Sequence, residues 1–344
     1  MNGKLGSVRP RATPLIDERL VEVGYFESNN PLPLVIRARH QATTLTAWAR
    51  AHQSLIDEAL KINGGLLFRG FLLDGIADFG GFVRSLCPEL LEYKERSTPR
   101  TEVGDRIYTS TEYPAHQSIA LHNEFSYSYT WPMRIFFFAS QTPESGGETP
   151  IADSRNVYQK LAPETLRRFI EKKVMYVRNY GAGIDLTWQE AFQTRDRAEV
   201  EEYCRSAPLD WEWLDGDRLR TRQVRPAVAQ HPTTGEMVWF NQAHLFHVSN
   251  LGLEMQESLC RVFDEQDLPR NAYYGDGSPI SAEDLEEVRR AYEEATVVFS
   301  WQPGDILMLD NMLVAHGRRP YSGKRRILAA LAQPYSLSAE FQIA

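Results

Sequence analysis

The chain has 344 residues, 42% of them hydrophobic and 24% charged, which is typical of a globular protein and excludes a fibre or a disordered tail. Its 38 Lys and Arg against 46 Asp and Glu give a net charge of −8, so no basic surface field favours nucleic acid as a partner. The three cysteines are widely spaced and the longest apolar runs are too short to span a bilayer. We therefore expect a cytoplasmic protein without disulfides and without a membrane partner.

The predicted elements mix helices and strands. Residues 1–33 carry no periodicity and are predicted to form an N-terminal arm. Apolar residues at helical spacing predict a helix over 45–60, and later helices are predicted from Pro163 and over 281–294. Apolar or β-branched runs bounded by turn residues predict strands at 66–70, 107–111, 135–140, 238–241, 306–310 and 324–331. This order predicts one mainly β domain over 34–344, with a long, partly helical insertion at about 156–300.

Two candidate metal ligands lie close together in the sequence. His122 and Glu124 are two residues apart, and in an extended strand such residues point to the same face. An imidazole and a carboxylate would then project together. The pattern is weak by itself, because a polar strand rim has the same spacing, so a third ligand is required.

A third candidate follows the strand predicted at 306–310. His316 precedes a turn signal, Pro320 to Gly323, and a further predicted strand follows that turn. His316 and Arg326 are equally distant from the middle of the turn. We therefore expect them to lie opposite each other on paired antiparallel strands, with an imidazole and a guanidinium in one cavity.

Two histidines and one carboxylate with open coordination positions form the facial triad of non-haem Fe(II) oxygenases. A nearby arginine is suited to bind a carboxylate by a forked ion pair, which indicates a 2-oxo acid with a distal carboxylate as cosubstrate. A Zn²⁺ hydrolase could use the same three ligands, but it would leave the arginine without a role.

These residues occur in a wider pattern that resembles the TauD/TfdA (taurine dioxygenase-like) family of Fe(II)/2-oxoglutarate-dependent oxygenases. The resemblance runs from about Leu66 to Ala332 and rests on His122, Glu124, Gly146-Gly147-Glu148-Thr149, His316 and Arg326. It implies a double-stranded β-helix, or jelly roll, and the use of Fe(II), 2-oxoglutarate and O₂. It also implies that His122, Glu124 and His316 bind iron. In addition, it implies that Thr149 contributes a hydroxyl to 2-oxoglutarate and that Arg326 binds the distal carboxylate of 2-oxoglutarate.

Within the family, the segments 121–128, 131–138, 146–155, 238–242 and 309–312 resemble the syringomycin-type hydroxylases of specialised metabolism. That likeness implies hydroxylation of an unactivated C–H bond in an amino acid or a derivative, which some such enzymes accept while it is tethered to a carrier protein. Related halogenases lack the carboxylate that Glu124 supplies, so hydroxylation is favoured over chlorination. Desaturation or cyclisation by the same chemistry stays open, as does a jelly roll that binds a ligand without catalysis.

The position four residues after the 2-oxoglutarate arginine carries a second arginine in taurine dioxygenase, where it binds the anionic group of the substrate. Here that position is Ala330, which cannot pair with an anion. This difference suggests a substrate without a free carboxylate at that point, such as an aminoacyl thioester on a carrier protein. Asn123, Arg178 and Arg134 are the candidate substrate-binding residues.

Overall fold

The computed structural model of the protein describes residues 19–26, 31–40, 43–92, 100–111, 113–181, 183 and 185–336. The first part of the chain forms β1 Val21–Gly24, β2 Leu34–Ala38, α1 Leu45–Ala51, α2 Gln53–Asn63, β3 Gly65–Arg69, α3 Gly75–Leu86, β4 Glu102–Gly104, β5 Ile107–Thr109, β6 Ile119–His122, β7 Thr130–Gln141, β8 Ser145–Gly146 and β9 Ile151–Asp153. The middle part forms α4 Ser154–Lys160, α5 Pro163–Lys172, β10 Val174–Tyr180, α6 Trp188–Phe192, α7 Arg197–Ser206, β11 Asp210–Leu214, β12 Arg218–Arg225, β13 Val228–Gln230, β14 Met237–Trp239, α8 Ala243–Phe246, α9 Leu253–Val262, β15 Arg270–Tyr274 and α10 Ala282–Glu294. The last part forms β16 Thr296–Val297, β17 Ile306–Asp310, β18 Val314–Arg318, β19 Tyr321–Ser322 and β20 Arg326–Ser336.

Two sheets form the centre of the fold. The larger sheet has eight strands in the order β1-β2-β3-β17-β7-β20-β5-β4, and the smaller has four in the order β16-β9-β18-β6. Apolar side chains of both sheets, including Phe137, Leu309 and Ala329 from the larger and Ile151 and Ala315 from the smaller, pack in one buried cluster. Two mainly antiparallel sheets that share a core in this way form the jelly roll that the sequence predicted.

The other face of the larger sheet is covered by α1, α2 and α3. Alternate residues of β7 serve the two sides: Phe137 packs between the sheets, whereas Phe136 and Phe138 pack against these helices. The strand can bury both of its faces because each is apolar.

The chain between β9 and β17 supplies the helical insertion and a third sheet, ordered β11-β12-β10-β15. The elements differ from prediction at two points. The helix predicted over 45–60 is broken at His52 into α1 and α2. Of the predicted arm, residues 1–18 and 27–30 lie outside the described residues, while Val21–Gly24 pairs with β2 as the edge strand of the larger sheet. None of the described helices is long and apolar enough to cross a membrane.

Gly317 lies at a close approach of β18 to the backbone of β6. A Cβ atom at this position would be 2.6 Å from the carbonyl oxygen of Ile119. We predict that Gly317→Ala pushes the two strands apart and lowers the free energy of unfolding by about 1–3 kcal/mol.

Urea denaturation measures this change, with Gly81→Ala in α3 as the control. A Cβ at Gly81 meets nothing within 4 Å, so alanine there is expected to be neutral or stabilising by up to about 1 kcal/mol. Equal effects of the two substitutions would contradict the close approach.

Candidate metal centre

His122 and His316 lie on neighbouring strands of the smaller sheet. In the antiparallel pairing of β6 with β18 the two residues are direct partners, and their ring centroids are 4.6 Å apart. Nδ1 of His122 lies 2.8 Å from the carbonyl oxygen of Ala120. Donation from this nitrogen would leave the Nε2 lone pair of His122 for a metal.

Glu124 lies beside the two histidines, but its backbone conformation differs from the predicted extended strand. β6 ends at His122, and Glu124 lies in the turn that follows rather than in an extended strand. The side-chain amide of Asn311 holds this turn: its Oδ1 accepts a hydrogen bond from the Glu124 N–H (2.7 Å), and its Nδ2 donates one to the Glu124 carbonyl (2.8 Å). A turn fixed by a distant side chain, and not strand alternation, brings the carboxylate beside the histidines.

Asn311 is itself fully buried and is held at the turn after β17. Its Nδ2 also donates to the carbonyl of Pro132, and its own carbonyl accepts from the side chain of Asn123. The preceding Asp310 accepts hydrogen bonds from the N–H groups of Met312 and Leu313 and pairs with His231 at 3.0 Å. This network makes Asn311 a positioning residue for Glu124.

We predict that Asn311→Ala lowers the free energy of unfolding by about 3 kcal/mol or more, because three buried backbone groups lose their partner. Iron affinity falls as well, since the carboxylate is no longer held in place. Chemical denaturation and iron titration measure the two effects. Asn156→Ala, at an exposed position of α4, is the control and should change stability by less than about 0.5 kcal/mol. Iron binding as tight as in the unmodified protein would exclude the positioning role.

The ligand atoms of His122, Glu124 and His316 all lie within 4.8 Å of one another. Among the described residues, no other group of His, Cys, Asp or Glu converges in this way. Nε2 of His316 is 3.6 Å from Oε2 of Glu124, and the guanidinium of Arg100 donates to the same oxygen at 2.8 Å. Two imidazoles and one carboxylate suit Fe(II), and a hydrogen-bonded carboxylate oxygen beside them is the usual support for such a ligand.

Charge and burial keep His122 and Glu124 in the protonation states that a metal requires. Burial and the neighbouring His316 lower the pKa of His122 to about 4, so its ring is neutral at pH 7. Burial tends to raise the pKa of Glu124, but Arg100 and the two histidines outweigh it and hold that pKa well below its usual range. Arg100 had no signal in the sequence, because its partner is 24 residues further along the chain.

A narrow cavity beside the triad is lined by three arginines and no acid: Arg100, which is paired with Glu124, and Arg318 and Arg325. Arg325 and Arg318 both border it, together with Thr149, Ser110 and the two histidines, among other residues. Arg325 donates from Nε to the carbonyl of Gly147 (3.0 Å) and from Nη1 to the Ser110 hydroxyl (3.3 Å). Two guanidinium groups without a lining carboxylate form an anion site next to the candidate metal position.

Electrostatics support the same interpretation of this narrow cavity. Burial, and then repulsion by Arg318, lower the pKa of Arg325 to about 10, so the guanidinium is charged at pH 7 but poorly solvated. The Thr149 hydroxyl accepts a hydrogen bond from the indole of Trp301 at 3.1 Å and faces the same cavity. An anion bound here would therefore meet a charged donor and a held hydroxyl.

Arg326, the predicted anchor, lies outside this cavity and is exposed. Side chains alternate along β20, so Ile327 and Ala329 face the inner core and Leu328 and Ala330 face the helices. By the same alternation, Arg325 lies on the face of Ile327 and Ala329, and Arg326 lies on the face of Leu328 and Ala330. The expected pairing of His316 with Arg326 is also wrong, because β18 and β20 belong to different sheets.

The family-model comparison agrees with this geometry. The model described as taurine catabolism dioxygenase TauD, TfdA family matches residues 28–331. The chain belongs to this family. It is an Fe(II)/2-oxoglutarate-dependent dioxygenase, and its cofactor and cosubstrates are Fe(II), 2-oxoglutarate and O₂, as the sequence predicted.

Individual relatives extend the comparison. The chain is 43% identical to the dapdiamide synthesis protein DdaC of Enterobacter agglomerans, over 91% of this chain and 97% of that protein. It is 30% identical to a clavaminate synthase-like protein of Arabidopsis thaliana, over 93% and 98% of the two chains. The crystal structure of the PvcB protein from Pseudomonas aeruginosa covers 94% of this chain and 95% of its own, with a TM-score of 0.55 and 14% identity, and it supports the fold alone.

On the other side of the triad, this TauD/TfdA family member has a larger cavity of about 620 Å³, a size typical of small-molecule sites. His122, Glu124 and Arg100 form one end of it. The rest of the wall comes largely from the insertion and is mostly apolar, with residues of α8, α9 and β15. The triad residues therefore border both the arginine-lined cavity and a cavity suited to a substrate.

The predicted substrate-binding residues are distributed differently. Asn123 is buried and donates to Ser154 and Asn311, so it supports the turn and lines neither cavity. Arg134 forms an ion pair with Asp57 at 2.7 Å, on the helix-covered side of the larger sheet. Arg178 is buried in β10, with its guanidinium 4.5 Å from the ring centroid of Tyr180.

The alanine that replaces the family's second arginine is also one residue away from the predicted position. Counted from Arg325, the fourth residue is Ala329, which faces the inner core, whereas Ala330 faces the helices. Both are alanine, so neither position offers a cation to a substrate anion.

His244 and His247 do not form a second metal site with any described side chain. Nε2 of His244 lies 2.9 Å from the carbonyl of Leu121 and so supports β6, while His247 lines the larger cavity. Burial lowers the pKa of both residues, that of His244 to about 4.

Proposed function

We propose that this dioxygenase hydroxylates an unactivated C–H bond of an amino acid or amino-acid-derived small molecule in specialised-metabolite biosynthesis. His122, Glu124 and His316 hold Fe(II), and 2-oxoglutarate lies in the narrow cavity with its distal carboxylate on Arg325. The observation that carries the proposal is the position of the triad between an acid-free arginine cavity and a mainly apolar cavity of about 620 Å³.

Different residues bind the cosubstrate, exclude water and hold the metal ligands in place. Arg325 fixes the cosubstrate through charge and direction, since a guanidinium binds a carboxylate by parallel hydrogen bonds. Thr149 supplies a hydroxyl to the same molecule. Phe137 and Ile327 line the narrow cavity and help to exclude water from it. Arg100 donates to Oε2 of Glu124 and so holds the carboxylate beside the two histidines.

Fe(II) with 2-oxoglutarate and O₂ supplies the oxidising power, since decarboxylation of the 2-oxo acid to succinate and CO₂ drives transfer of one oxygen atom to the substrate. The protein determines which C–H bond lies nearest to the metal. Glu124 fills a ligand position that halide would require, so hydroxylation is favoured over halogenation.

The pathway assignment draws on the relative of Enterobacter agglomerans, whose name refers to dapdiamide synthesis. A cytoplasmic location is part of the same proposal. Cys87 and Cys204 are buried free thiols and Cys260 is an exposed one, which suits a reducing compartment. We further propose that residues 34–344 form one catalytic domain that includes the insertion.

The test is oxygen-isotope labelling during turnover. Purified protein, Fe(II) and 2-oxoglutarate are incubated under ¹⁸O₂ with free amino acids, their N-acyl derivatives and carrier-bound aminoacyl thioesters. Hydroxylation predicts one ¹⁸O atom in the product and one in succinate. A product that has lost two hydrogens and gained no oxygen would indicate desaturation or cyclisation instead. No succinate above that of a metal-free control would contradict the oxygenase assignment.

A further inference from the structure

A charged cluster lies on the wall of the larger cavity formed by the insertion. Arg270 begins β15, and Arg178 is its direct partner on β10, so the two side chains belong to the same face of that sheet. Asp185 lies in the segment after β10 and pairs with Arg270. Asp185 and Arg270 line the larger cavity, which His122 and Glu124 also line.

Arg270 is held in a fixed direction. Its Nε and Nη2 both donate to Oδ2 of Asp185, at 3.0 and 2.6 Å, and its guanidinium carbon is 5.7 Å from the ring centroid of Phe246. Oδ1 of Asp185 accepts from the N–H of Leu186 at 2.8 Å. The side chain of Arg270 nevertheless remains 31% exposed, against 10% for Asp185. A guanidinium that is oriented by its partner and still accessible from the cavity is suited to a ligand carboxylate.

The charges of the cluster favour an anion. Two guanidinium groups face one carboxylate, so the three described side chains carry a net charge of +1. Burial tends to raise the pKa of Asp185, but Arg270 and then Arg178 outweigh it and hold that pKa below its usual range. Asp185 is therefore ionised at pH 7.

The wall between this cluster and the metal triad is mainly apolar. Most of the side chains that line the cavity have no charge, and the apolar ones include Leu245, Phe246, Leu251, Met255 and Leu259. A ligand in this cavity would have its charged end at Arg270 and an apolar body extending toward the iron ligands.

We propose that Arg270, oriented by Asp185 and supported by the charge of Arg178, binds a free carboxylate of the substrate. The substrate class is a carboxylic acid with a largely apolar body, such as an N-acylated or side-chain-extended amino acid. This inference rests on the proposed function, because it assigns the substrate end of the same site.

The cluster accounts for Ala329, which lies four residues after Arg325, where taurine dioxygenase has its substrate-binding arginine. Ala329 removes the anion partner from β20, and Arg270 supplies one from the insertion instead. A carboxylate bound at Arg270 is a free carboxylate that the insertion binds. A thioester on a carrier protein has no such group, so the cluster favours the free acid over the tethered substrate that the sequence suggested.

The test compares acids with their primary amides on the holoenzyme. Protein loaded with Fe(II) and saturating 2-oxoglutarate is kept anaerobic and titrated calorimetrically with hexanoate, N-acetyl-L-leucine and N-hexanoyl-L-leucine, and with the amide of each. Saturating 2-oxoglutarate occupies Arg325, so this arginine does not contribute to the comparison. At least one acid is expected to bind about ten- to a hundredfold more tightly than its amide.

Two variants test whether Arg270 causes the preference for the acid over its amide. Arg270→Gln should bring the affinities of acid and amide within about twofold. Arg222→Gln, on the neighbouring strand β12 and outside the cavity wall, should retain the preference and controls for a general change of charge. Thermal unfolding of both variants checks that the fold is retained.

The inference is overturned if no acid binds more tightly than its amide, including the case in which neither binds at the highest soluble concentration. It is also overturned if Arg270→Gln keeps the preference. Failure of the proposed function gives a different result. In that case the protein does not bind 2-oxoglutarate in the presence of Fe(II), and this is measured before any acid is added.

Discussion

Replacing Arg325 by glutamine is expected to raise the dissociation constant for 2-oxoglutarate about a hundredfold to a thousandfold, because two charge-assisted hydrogen bonds to the distal carboxylate are lost. The glutamine amide can take the place of Nε in the hydrogen bond to Gly147, so the turn around the residue should keep its shape, although the contact of Nη1 with Ser110 is lost. Anaerobic titration of the Fe(II)-loaded protein with 2-oxoglutarate measures the change. Turnover at saturating 2-oxoglutarate should recover in part, since the metal ligands are untouched.

Arg326→Gln is the matched control for this prediction. The two arginines are adjacent in the chain, but only Arg325 borders the narrow cavity and Arg326 is exposed. Loss of an exposed charge should change 2-oxoglutarate affinity by no more than about twofold. The reverse result, in which Arg326→Gln weakens binding and Arg325→Gln does not, would return the anchor to the position that the sequence predicted.

His316→Ala is expected to reduce iron-dependent turnover to about a thousandth or less, since one of three protein ligands is removed. Iron content measured by elemental analysis should fall well below the one equivalent expected for the unmodified protein. The metal should also raise the melting temperature of the unmodified protein but not of the variant, because a ligand that binds only the folded state stabilises it.

His116→Ala controls for the loss of an imidazole. His116 is exposed and lies outside the converging group, so its replacement should leave iron content, melting temperature and turnover unchanged. Full iron content in His316→Ala would show that the metal is held elsewhere.

The residue types of the metal centre could be predicted from the sequence because the donor set is chemically specific. His122 and Glu124 are two residues apart, and His316 follows a recognisable strand. The local reason given for their convergence was nevertheless wrong. The turn that carries Glu124 is fixed by Asn311, 187 residues further along the chain, and no local pattern reports such a contact.

The sequence placed the 2-oxoglutarate anchor at Arg326, whereas the neighbouring Arg325 is the residue that borders the narrow cavity. Strand alternation turns a one-residue error into the opposite face of the sheet. The start of β20 could not be derived from the turn signal at Pro320 to Gly323, and the pairing of β20 with β7 shifts register between Arg326 and Ile327. The same error moved the informative alanine from Ala329 to Ala330.

Arg100 and Arg270 gave no signal in the sequence for a related reason. Each acquires its position from a partner that is distant in the chain: Arg100 from Glu124, and Arg270 from Asp185, 85 residues away. Arginines are common on protein surfaces, so neither stands out until the fold brings it to a cavity wall. The substrate end of the site therefore depends on tertiary structure more than the metal end does.

The most direct test of the central claim is an anaerobic difference spectrum of the purified protein with Fe(II) and 2-oxoglutarate. If His122, Glu124 and His316 hold iron that 2-oxoglutarate chelates, a weak metal-to-ligand charge-transfer band appears in the visible range. The band should be absent in His316→Ala and should require far more 2-oxoglutarate in Arg325→Gln. A fully iron-loaded protein that gives no band with saturating 2-oxoglutarate would contradict the account.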